Sequence, residues 1–248
     1  VLETIKRAKQ VKKFAADSDV LWCGPIQGGT HKDLLRQCAK TMAALPFSVH
    51  PVGSIVPMMN SYRFADVIKT LREAQKLLPA NRPIHAFGAG HPMFFAMAAA
   101  IGADLFDSAA YALFAKDSRY LTVHGTHLLE NLRYLPCSCP VCSSHNAQEI
   151  SESKDKTRLL AEHNLYVSFE ELNTVKQAIK DKSLWDLIDA RCREHPRMLS
   201  AMDEFVRDKK FLDERDVISK GRLFYLRDYT EDRPDFRRAK KKAAHIKG

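Results

Sequence analysis

The chain has 248 residues, of which 45% are hydrophobic, and this is enough apolar material for a sizeable core in one large domain, or in one domain with a small appendage. Its 39 lysines and arginines exceed its 30 aspartates and glutamates, so the formal net charge is +9. The longest apolar run, Pro92–Gly102, is much shorter than the roughly 20 residues that a membrane-spanning helix needs. This excludes a transmembrane protein. No secretory signal opens the chain, so we expect a reducing compartment, the cytoplasm.

The first two thirds of the chain alternate between short apolar runs that end at glycine or proline and longer segments with helical spacing. This alternation is typical of βα units. The predicted helices are Leu2–Ala16, Lys32–Ala44, Tyr62–Leu77 and Met93–Ile101. The predicted strands are Val20–Ile26, Phe47–Val56 with breaks at Pro51 and Gly53, Ile84–Phe87 and Leu105–Phe106. Four such units in series predict a parallel sheet, either an open layer or part of a closed barrel, with functional residues at the carboxyl ends of the strands.

The last part of the chain is expected to be helical and ends in a basic segment. Helices are predicted at Phe169–Lys180 and Leu184–Phe205, and one more strand at Gly221–Leu226. The basic residues of the tail are Arg237, Arg238, Lys240, Lys241, Lys242 and Lys247. Such a tail attracts a polyanion such as a nucleic acid, because binding releases counterions. A solvated chain end explains it about as well.

Three cysteines within six residues, followed by a histidine, give the strongest chemical signal. The expected metal ligands are Cys137, Cys139, Cys142 and His163. Four ligands of this kind suit a closed tetrahedral zinc ion with a structural role. Disulfides or buried thiols are the alternative, although Cys137 and Cys139 are too close to cross-link without strain. His145 competes for the fourth position, but Leu159 and Leu160 share a helix face with His163, and packing of that face can aim its imidazole at the cysteines.

The predicted strands end in segments that can contact a ligand. Those segments are Gly24–Gly29, Gly53–Pro57, Phe87–Pro92 and Asp104–Tyr111. Gln27 offers a donor and an acceptor on one planar amide, and Asp107 places a carboxylate just past an apolar strand. Each has a structural explanation when taken singly, since Gln27 can cap a loop and Asp107 can cap the next helix.

Taken in order, these segments and the cysteine run resemble the archaeal tRNA-guanine transglycosylases over nearly the whole chain. The resemblance lies in GPIQGG, HPVGSIVP with SYRF, FGAGHP, DLFDSAAYALFAKDSRY, and PCSCPVC joined to RLLAEHNLYVSFEE. Agreement of several segments in order is far more specific than any one of them. The resemblance implies an α/β fold, the C-terminal portion of a TIM (β/α)8 barrel, with an inserted zinc-binding subdomain and trailing helices.

The resemblance also implies a division of the chain. Residues 1–128 would be a partial TIM-barrel catalytic domain, 129–170 the zinc-binding subdomain, 171–218 a helical segment completing the catalytic domain, and 219–248 a basic segment leading toward an absent RNA-binding region. Family members begin with barrel strands that carry a DSGGFQ-like segment, whose aspartate is the general acid/base, and a further aspartate that binds the incoming base. Neither occurs here. We therefore expect a fragment or one half of a split enzyme, active only with a second polypeptide that supplies the missing strands.

The family exchanges a guanine in the D-arm of tRNA, at position 15, for 7-cyano-7-deazaguanine in archaeosine biosynthesis. By resemblance, Asp107 would be the nucleophile that holds the ribose covalently while one base leaves and another enters. Gln27 would hydrogen-bond the heterocycle, and the backbone of Ile55 and Val56 would line the base pocket. The target nucleotide must be everted into this pocket, and the basic surface would hold the rearranged tRNA backbone. One structural Zn²⁺ per chain and a homo-oligomer, a dimer, are also expected.

Two other functions compete with this interpretation. A non-catalytic tRNA-binding relative of the archaeosine synthase type would keep the fold and the zinc ligands, but the intact DLFDSAAY around Asp107 argues against it. A purely structural zinc module does not explain why Gln27 and Asp107 both occur at strand ends.

Overall fold

The computed structural model describes residues 1–17, 19–218, 220, 224–225 and 228–246. The predicted strand Gly221–Leu226 lies largely outside these residues, and so does Lys247 of the basic tail. The described residues form an α/β structure, as the sequence predicts. None of their helices is both long enough and apolar enough to cross a membrane.

A small parallel sheet organises the first half of the chain. Its strands are β1 (His50–Val52), β2 (Ile84–Ala86) and β3 (Leu105–Phe106), hydrogen-bonded in the order β1-β2-β3. The segment before Gln27 extends the sheet beyond β1 through two parallel bridges, Cys23 with Val49 and Ile26 with Val52. All four segments run in the same direction, which is the arrangement that βα units produce.

Two predicted strands are shorter than expected. The predicted strand Val20–Ile26 is reduced to the two bridges, and Phe47–Val56 is reduced to β1. β1 ends at Val52, directly before the predicted break at Gly53, and the φ of +62° at Ser54 keeps the chain out of the extended conformation. Val56 then begins helix α4 instead of continuing a strand.

Helices precede and cover this sheet. In chain order they are α1 (Leu2–Gln10), α2 (Lys12–Ala16), α3 (Lys32–Ala43), α4 (Val56–Asn60), α5 (Phe64–Gln75), α6 (Phe95–Ile101) and α7 (Ala110–Lys116). The predicted helix Leu2–Ala16 is divided at Val11 into α1 and α2. The main core lies between the helices and the sheet, where Ile26, Val52 and Ala86 are completely buried.

A hairpin and three helices form a second, smaller core. The elements are β4 (Arg119–Thr122), β5 (Gly125–Leu128), α8 (Pro140–Ser144), α9 (Ala147–Glu152) and α10 (Lys156–Lys180). Tyr120, Leu129, Ile150 and Leu160 are buried together there. The predicted helix Phe169–Lys180 is only the second half of α10, which passes residue 170 without a break.

The remaining helices are α11 (Leu184–Arg193), α12 (Pro196–Val206), α13 (Lys209–Arg215) and α14 (Pro234–Ile246). The single predicted helix Leu184–Phe205 was wrong, because the extended residue His195 and Pro196 separate α11 from α12. α12 packs along α5, and the Arg72 guanidinium binds the buried Glu204 between them.

Candidate functional site

The predicted site residues follow neighbouring parallel segments and therefore lie along one edge of the sheet. Gln27 follows Ile26, Ser54 follows β1, Gly88 follows β2 and Asp107 follows β3 directly. The carboxyl ends of parallel strands are where α/β proteins place their ligands. The order of these segments puts Gln27 at one end of the edge and Asp107 at the other.

Asp107 is oriented by one group of the neighbouring strand β2 and one group of the turn that follows it. Its Oδ1 accepts a hydrogen bond from the backbone N–H of Gly88 at 2.7 Å and lies 2.7 Å from Nε2 of His85. The Asp107 side chain is 47% exposed, whereas that of His85 is 18% exposed. One carboxylate oxygen is thus fixed while the group stays open to a ligand, which is the arrangement that a nucleophile needs.

His85 is a site residue that the sequence did not reveal. A lone histidine in an apolar strand has many explanations, and the run Ile-His-Ala does not single it out. One signal was available in the sequence. His85 lies two residues before Phe87, which begins the predicted ligand-contacting segment Phe87–Pro92, and alternate residues of a strand lie on the same face. The two rings are in contact, with centroids 5.2 Å apart.

Val56 is connected to Asp107 through a glycine. Gly88 has a φ of +84°, and a Cβ at this position would lie 2.3 Å from Cγ2 of Val56. Only glycine at position 88 therefore allows Val56 to pack this closely against the turn, while the N–H of Gly88 binds Asp107. Ile55 is completely buried and Val56 is 41% exposed, so the Ile55 side chain belongs to the core.

Gln27 is held against the turn that follows β1. Its Oε1 accepts a hydrogen bond from the Ser54 hydroxyl at 2.7 Å. A Cβ on Gly53 would lie 2.7 Å from Nε2 of Gln27, so the absence of a side chain there makes room for the amide. A cavity of about 540 Å³ opens beside it, lined by Gln27, Ser54, Met58 and Arg63 among others. Its lining does not include Asp107, Ile55 or Val56.

The four predicted metal ligands come together in the second core. One ligand atom from each of Cys137, Cys139, Cys142 and His163 lies within 4.8 Å of all the others. Nδ1 of His163 is 3.5 Å from Sγ of Cys139 and 3.4 Å from Sγ of Cys142. His145 lies outside this group and hydrogen-bonds the Val141 carbonyl instead. The group can hold a metal ion.

The surroundings of His163 prepare it as a ligand. Its Nε2–H donates to the Leu121 carbonyl at 3.0 Å, which leaves the lone pair of Nδ1 facing the cysteines. Burial lowers the pKa of His163 to about 4, so the imidazole is neutral near pH 7. The Tyr120 ring stacks on it at 3.7 Å, and the Tyr120 hydroxyl lies 3.3 Å from Sγ of Cys142. These contacts fit a tetrahedral site with three thiolates and one imidazole.

The residue after His163 joins the metal group to the rest of the molecule. The buried Asn164 accepts a hydrogen bond from the Leu121 N–H at 2.8 Å and donates to the carbonyls of Tyr111 and Arg119 at 3.0 and 3.2 Å. Its amide therefore ties α10 to β4 and to α7, which begins three residues after Asp107.

Comparison with known proteins identifies the family. Residues 1–197 match the family described as queuine tRNA-ribosyltransferase. A protein of Methanococcus aeolicus named tRNA-guanine(15) transglycosylase is 47% identical over 99% of this chain and 39% of its own length. Proteins of the same name from Methanocaldococcus jannaschii and Archaeoglobus fulgidus are both 46% identical, over 99% and 95% of this chain and 39% and 49% of their own lengths.

The chain thus spans less than half the length of these relatives. The family match includes the strand ends, the cysteine run and His163. The chain belongs to the queuine tRNA-ribosyltransferase family.

Proposed function

We propose that the chain is part of an enzyme that exchanges guanine 15 of tRNA for 7-cyano-7-deazaguanine, in archaeosine biosynthesis. The main support is the Asp107 carboxylate, which is held through Oδ1 by His85 and Gly88 at a half-exposed position on the sheet edge. The names of the archaeal relatives describe a transglycosylase that acts on guanine 15 of tRNA. The four parallel segments would then belong to a (β/α)8 barrel.

In the first step Asp107 attacks C1′ of the everted nucleotide. A bond forms between a carboxylate oxygen and C1′, and the bond between C1′ and N9 breaks, so that guanine leaves with the electron pair and takes up a proton. The transition state has the character of an oxocarbenium ion, which an adjacent carboxylate stabilises. In the second step the incoming base loses a proton, attacks C1′ and displaces Asp107, which restores the carboxylate.

Gln27, Ile55 and Val56 would recognise the base. The Ser54 hydroxyl donates to Oε1 of Gln27, so this amide offers its Nε2 donors to an acceptor such as a purine carbonyl. The half-buried amide would be covered by the bound base, and a base that left it unpaired would then bind less well, which is a source of selectivity. The backbone of Ile55 and Val56 lies at the start of α4, where it can border the same base.

The cysteine–histidine group would hold one structural Zn²⁺ with no part in the reaction. The metal would fix the loop of Cys137 and Cys139 to α10. The hydrogen bond from Asn164 to the Tyr111 carbonyl then joins α10 to α7. We further propose that the protein works in the cytoplasm as a dimer, and that a second polypeptide supplies barrel strands other than the four parallel segments.

Asp107→Asn in the complete enzyme tests the reaction. Incorporation of labelled base into tRNA should fall at least about 10³-fold, while tRNA affinity changes little, because the amide keeps the size but not the nucleophilicity of the carboxylate. Asp117→Asn, an exposed position at the end of α7, should leave exchange unchanged. Normal exchange by Asp107→Asn would refute the proposal, and tRNA binding without exchange by the unaltered enzyme would favour a non-catalytic tRNA-binding relative.

A further inference from the structure

A second cavity adjoins the one beside Gln27 and is not used by the reaction. It encloses about 520 Å³ between the start of α3, the length of α5 and the end of α12. The two cavities share Gly29, Thr30 and Arg63 in their linings. A ligand bound at the candidate site can therefore extend from one cavity into the other.

The charge of this second cavity is positive. Among the described residues, its lining has five cationic side chains, Lys32, Arg63, Lys69, Arg72 and Arg207, and three carboxylates, Asp66, Glu73 and Glu204. Each of the two more buried carboxylates is shared by several cations. Glu204 binds Arg72, contacts Arg207 at 2.6 Å and lies 4.0 Å from Lys69.

Glu73 has a similar environment. Its carboxylate contacts Arg36 at 2.7 Å and lies 3.6 Å from Lys76 and 3.8 Å from Lys32. Burial alone would raise the pKa of Glu73, but these three cations outweigh it and hold its pKa below the usual value. The carboxylate is therefore ionised near pH 7, and the cations still outnumber the acids.

Most of the positive charge also lies closer to solvent than the buried Glu204. The Glu204 side chain is 4% exposed, whereas those of Lys32, Lys69 and Arg207 are 53% to 65% exposed. Glu204 and Arg72 thus lie together at the floor, and three of the five cations lie at the rim. A ligand that approaches from solvent meets positive charge first, and this attracts anions.

Two further features of this cavity point to an anion. The 12-residue helix α3 begins there, and its N-cap residue His31 makes no side-chain capping hydrogen bond to the described residues. The N–H groups and the dipole of such a helix start favour negative charge. In addition, Arg72 is 7% exposed, and its buried Nε has no hydrogen-bond partner among the described residues, although both terminal nitrogens bind Glu204.

We infer that this cavity is a phosphate-binding subsite that holds the tRNA backbone next to the everted nucleotide. The inference rests on the proposed function for the identity of the ligand. Phosphate oxygens would bind Lys32 and Lys69 at the rim and the N–H groups at the start of α3. Free phosphate has the same chemistry, so the experiment has to separate the two sources.

The double variant Lys32→Gln with Lys69→Gln tests the subsite in the complete enzyme. Both ammonium groups lie 3.8 Å or more from their carboxylates, so their loss should cost little stability, which thermal unfolding checks. We expect tRNA affinity at low salt to fall about tenfold, and the slope of log affinity against log salt to decrease by about one to two, since each phosphate contact contributes roughly 0.7 to 0.9. Lys12→Gln with Lys13→Gln on α2 removes the same charge and should leave the slope unchanged.

Inorganic phosphate is the second arm of this experiment. For a subsite of the tRNA backbone, low-millimolar phosphate at constant ionic strength should not shift the melting temperature of either protein. Suppose that the salt slope is unchanged in the double variant, and that phosphate shifts the melting temperature of the unaltered enzyme but not that of the double variant. This result would overturn the tRNA assignment in favour of free phosphate. An unchanged slope without a phosphate effect would overturn the subsite altogether.

The outcomes separate this inference from the proposed reaction. If base exchange depends on Asp107 but the salt dependence of tRNA affinity does not depend on Lys32 and Lys69, the proposed reaction is supported and the proposed subsite is refuted. If the slope decreases in the double variant as expected but the unaltered enzyme exchanges no base, the subsite is supported as a tRNA contact and the proposed reaction is refuted.

Discussion

Nε2 of His85 and the backbone N–H of Gly88 converge on the same oxygen of Asp107, each at 2.7 Å. The register of the sheet produces this meeting, because His85 is paired with Leu105 and Ala86 with Phe106. Asp107 is the next residue of its strand and therefore emerges beside the end of β2. The end of β3 thus carries a carboxylate that β2 and the turn directly after it hold in position.

Replacement of His85 should weaken catalysis more than binding. His85→Phe removes a hydrogen bond to a charged group, which contributes about 1.5–3 kcal/mol, so we expect kcat to fall about 10- to 100-fold with little change in KM for tRNA. His85→Gln keeps a donor and should recover part of kcat. Steady-state base exchange measures both effects. Equal kcat for His85→Phe and the unaltered enzyme would show that this contact does not position Asp107.

Removal of one metal ligand should release the metal and loosen the second core. Cys139→Ala leaves three ligands, and we expect the loss of one equivalent of zinc together with at least about 2 kcal/mol of stability. Cys23→Ala should retain the metal, because this exposed cysteine is not part of the ligand group. Metal analysis of the purified protein and chemical unfolding provide the measurements. Unchanged zinc content in Cys139→Ala would mean that the ligand set is wrong.

Asn164 should be more important for stability than its position beside a candidate metal ligand suggests. Asn164→Leu leaves the buried Leu121 N–H without its partner, at about 1–3 kcal/mol, and removes hydrogen bonds to two partly buried carbonyls, at about 1 kcal/mol each. We expect the free energy of unfolding to fall by about 3 kcal/mol or more. The matched control is Asn173→Leu, an exposed asparagine on the same helix, which should have little effect. Similar unfolding midpoints for the two variants would contradict this role.

His91 should make the fold sensitive to acid. Its ring is enclosed by Tyr62, Phe64 and Phe114, and burial, with a smaller contribution from the charge of His195, lowers its pKa from 6.5 to about 3. The unfolded chain therefore takes up a proton below pH 6.5 that the folded protein does not. The resulting stability is fully present above pH 6.5 and is lost as the pH falls toward 3.

The free energy of unfolding in urea, measured from pH 7.5 to pH 5, checks this expectation. His91→Phe should give a shallower decrease than the unaltered protein, because one proton-uptake site of the unfolded chain is gone. His127→Phe, at an exposed position of β5, should keep the original slope. Parallel curves for His91→Phe and the unaltered protein would contradict the account.

Local signals in the sequence were sufficient for some elements of the fold. The predicted helix Lys32–Ala44 differs from α3 by one residue, because a regular apolar face marks its length. The predicted strand Phe47–Val56 was too long, because its β-branched residues are equally compatible with the buried start of a helix. The positive φ of Ser54 decides between the two, and no residue type in the sequence specifies it. The β4–β5 hairpin was not predicted at all.

In the candidate site, too, the sequence revealed residues with local signals but not residues whose contacts are distant in the chain. The run of Cys137, Cys139 and Cys142 is local and could be read directly, and the fourth ligand could be chosen from helical spacing. Asp107 stood out through its place in a series of strand ends. By contrast, the roles of His85 and Asn164 arise from hydrogen bonds between elements that are far apart in the chain, over 22 and 43 residues. Such contacts leave no periodic pattern.

The most direct test is to look for a covalent bond between Asp107 and tRNA. The complete enzyme would be incubated with tRNA, denatured and digested, and the peptides attached to RNA would be sequenced by mass spectrometry. The account predicts one linked peptide that contains Asp107, which disappears when 7-cyano-7-deazaguanine is added in excess and is absent in Asp107→Asn. Base exchange with the ribose attached to another residue, or with no attached peptide, would contradict it.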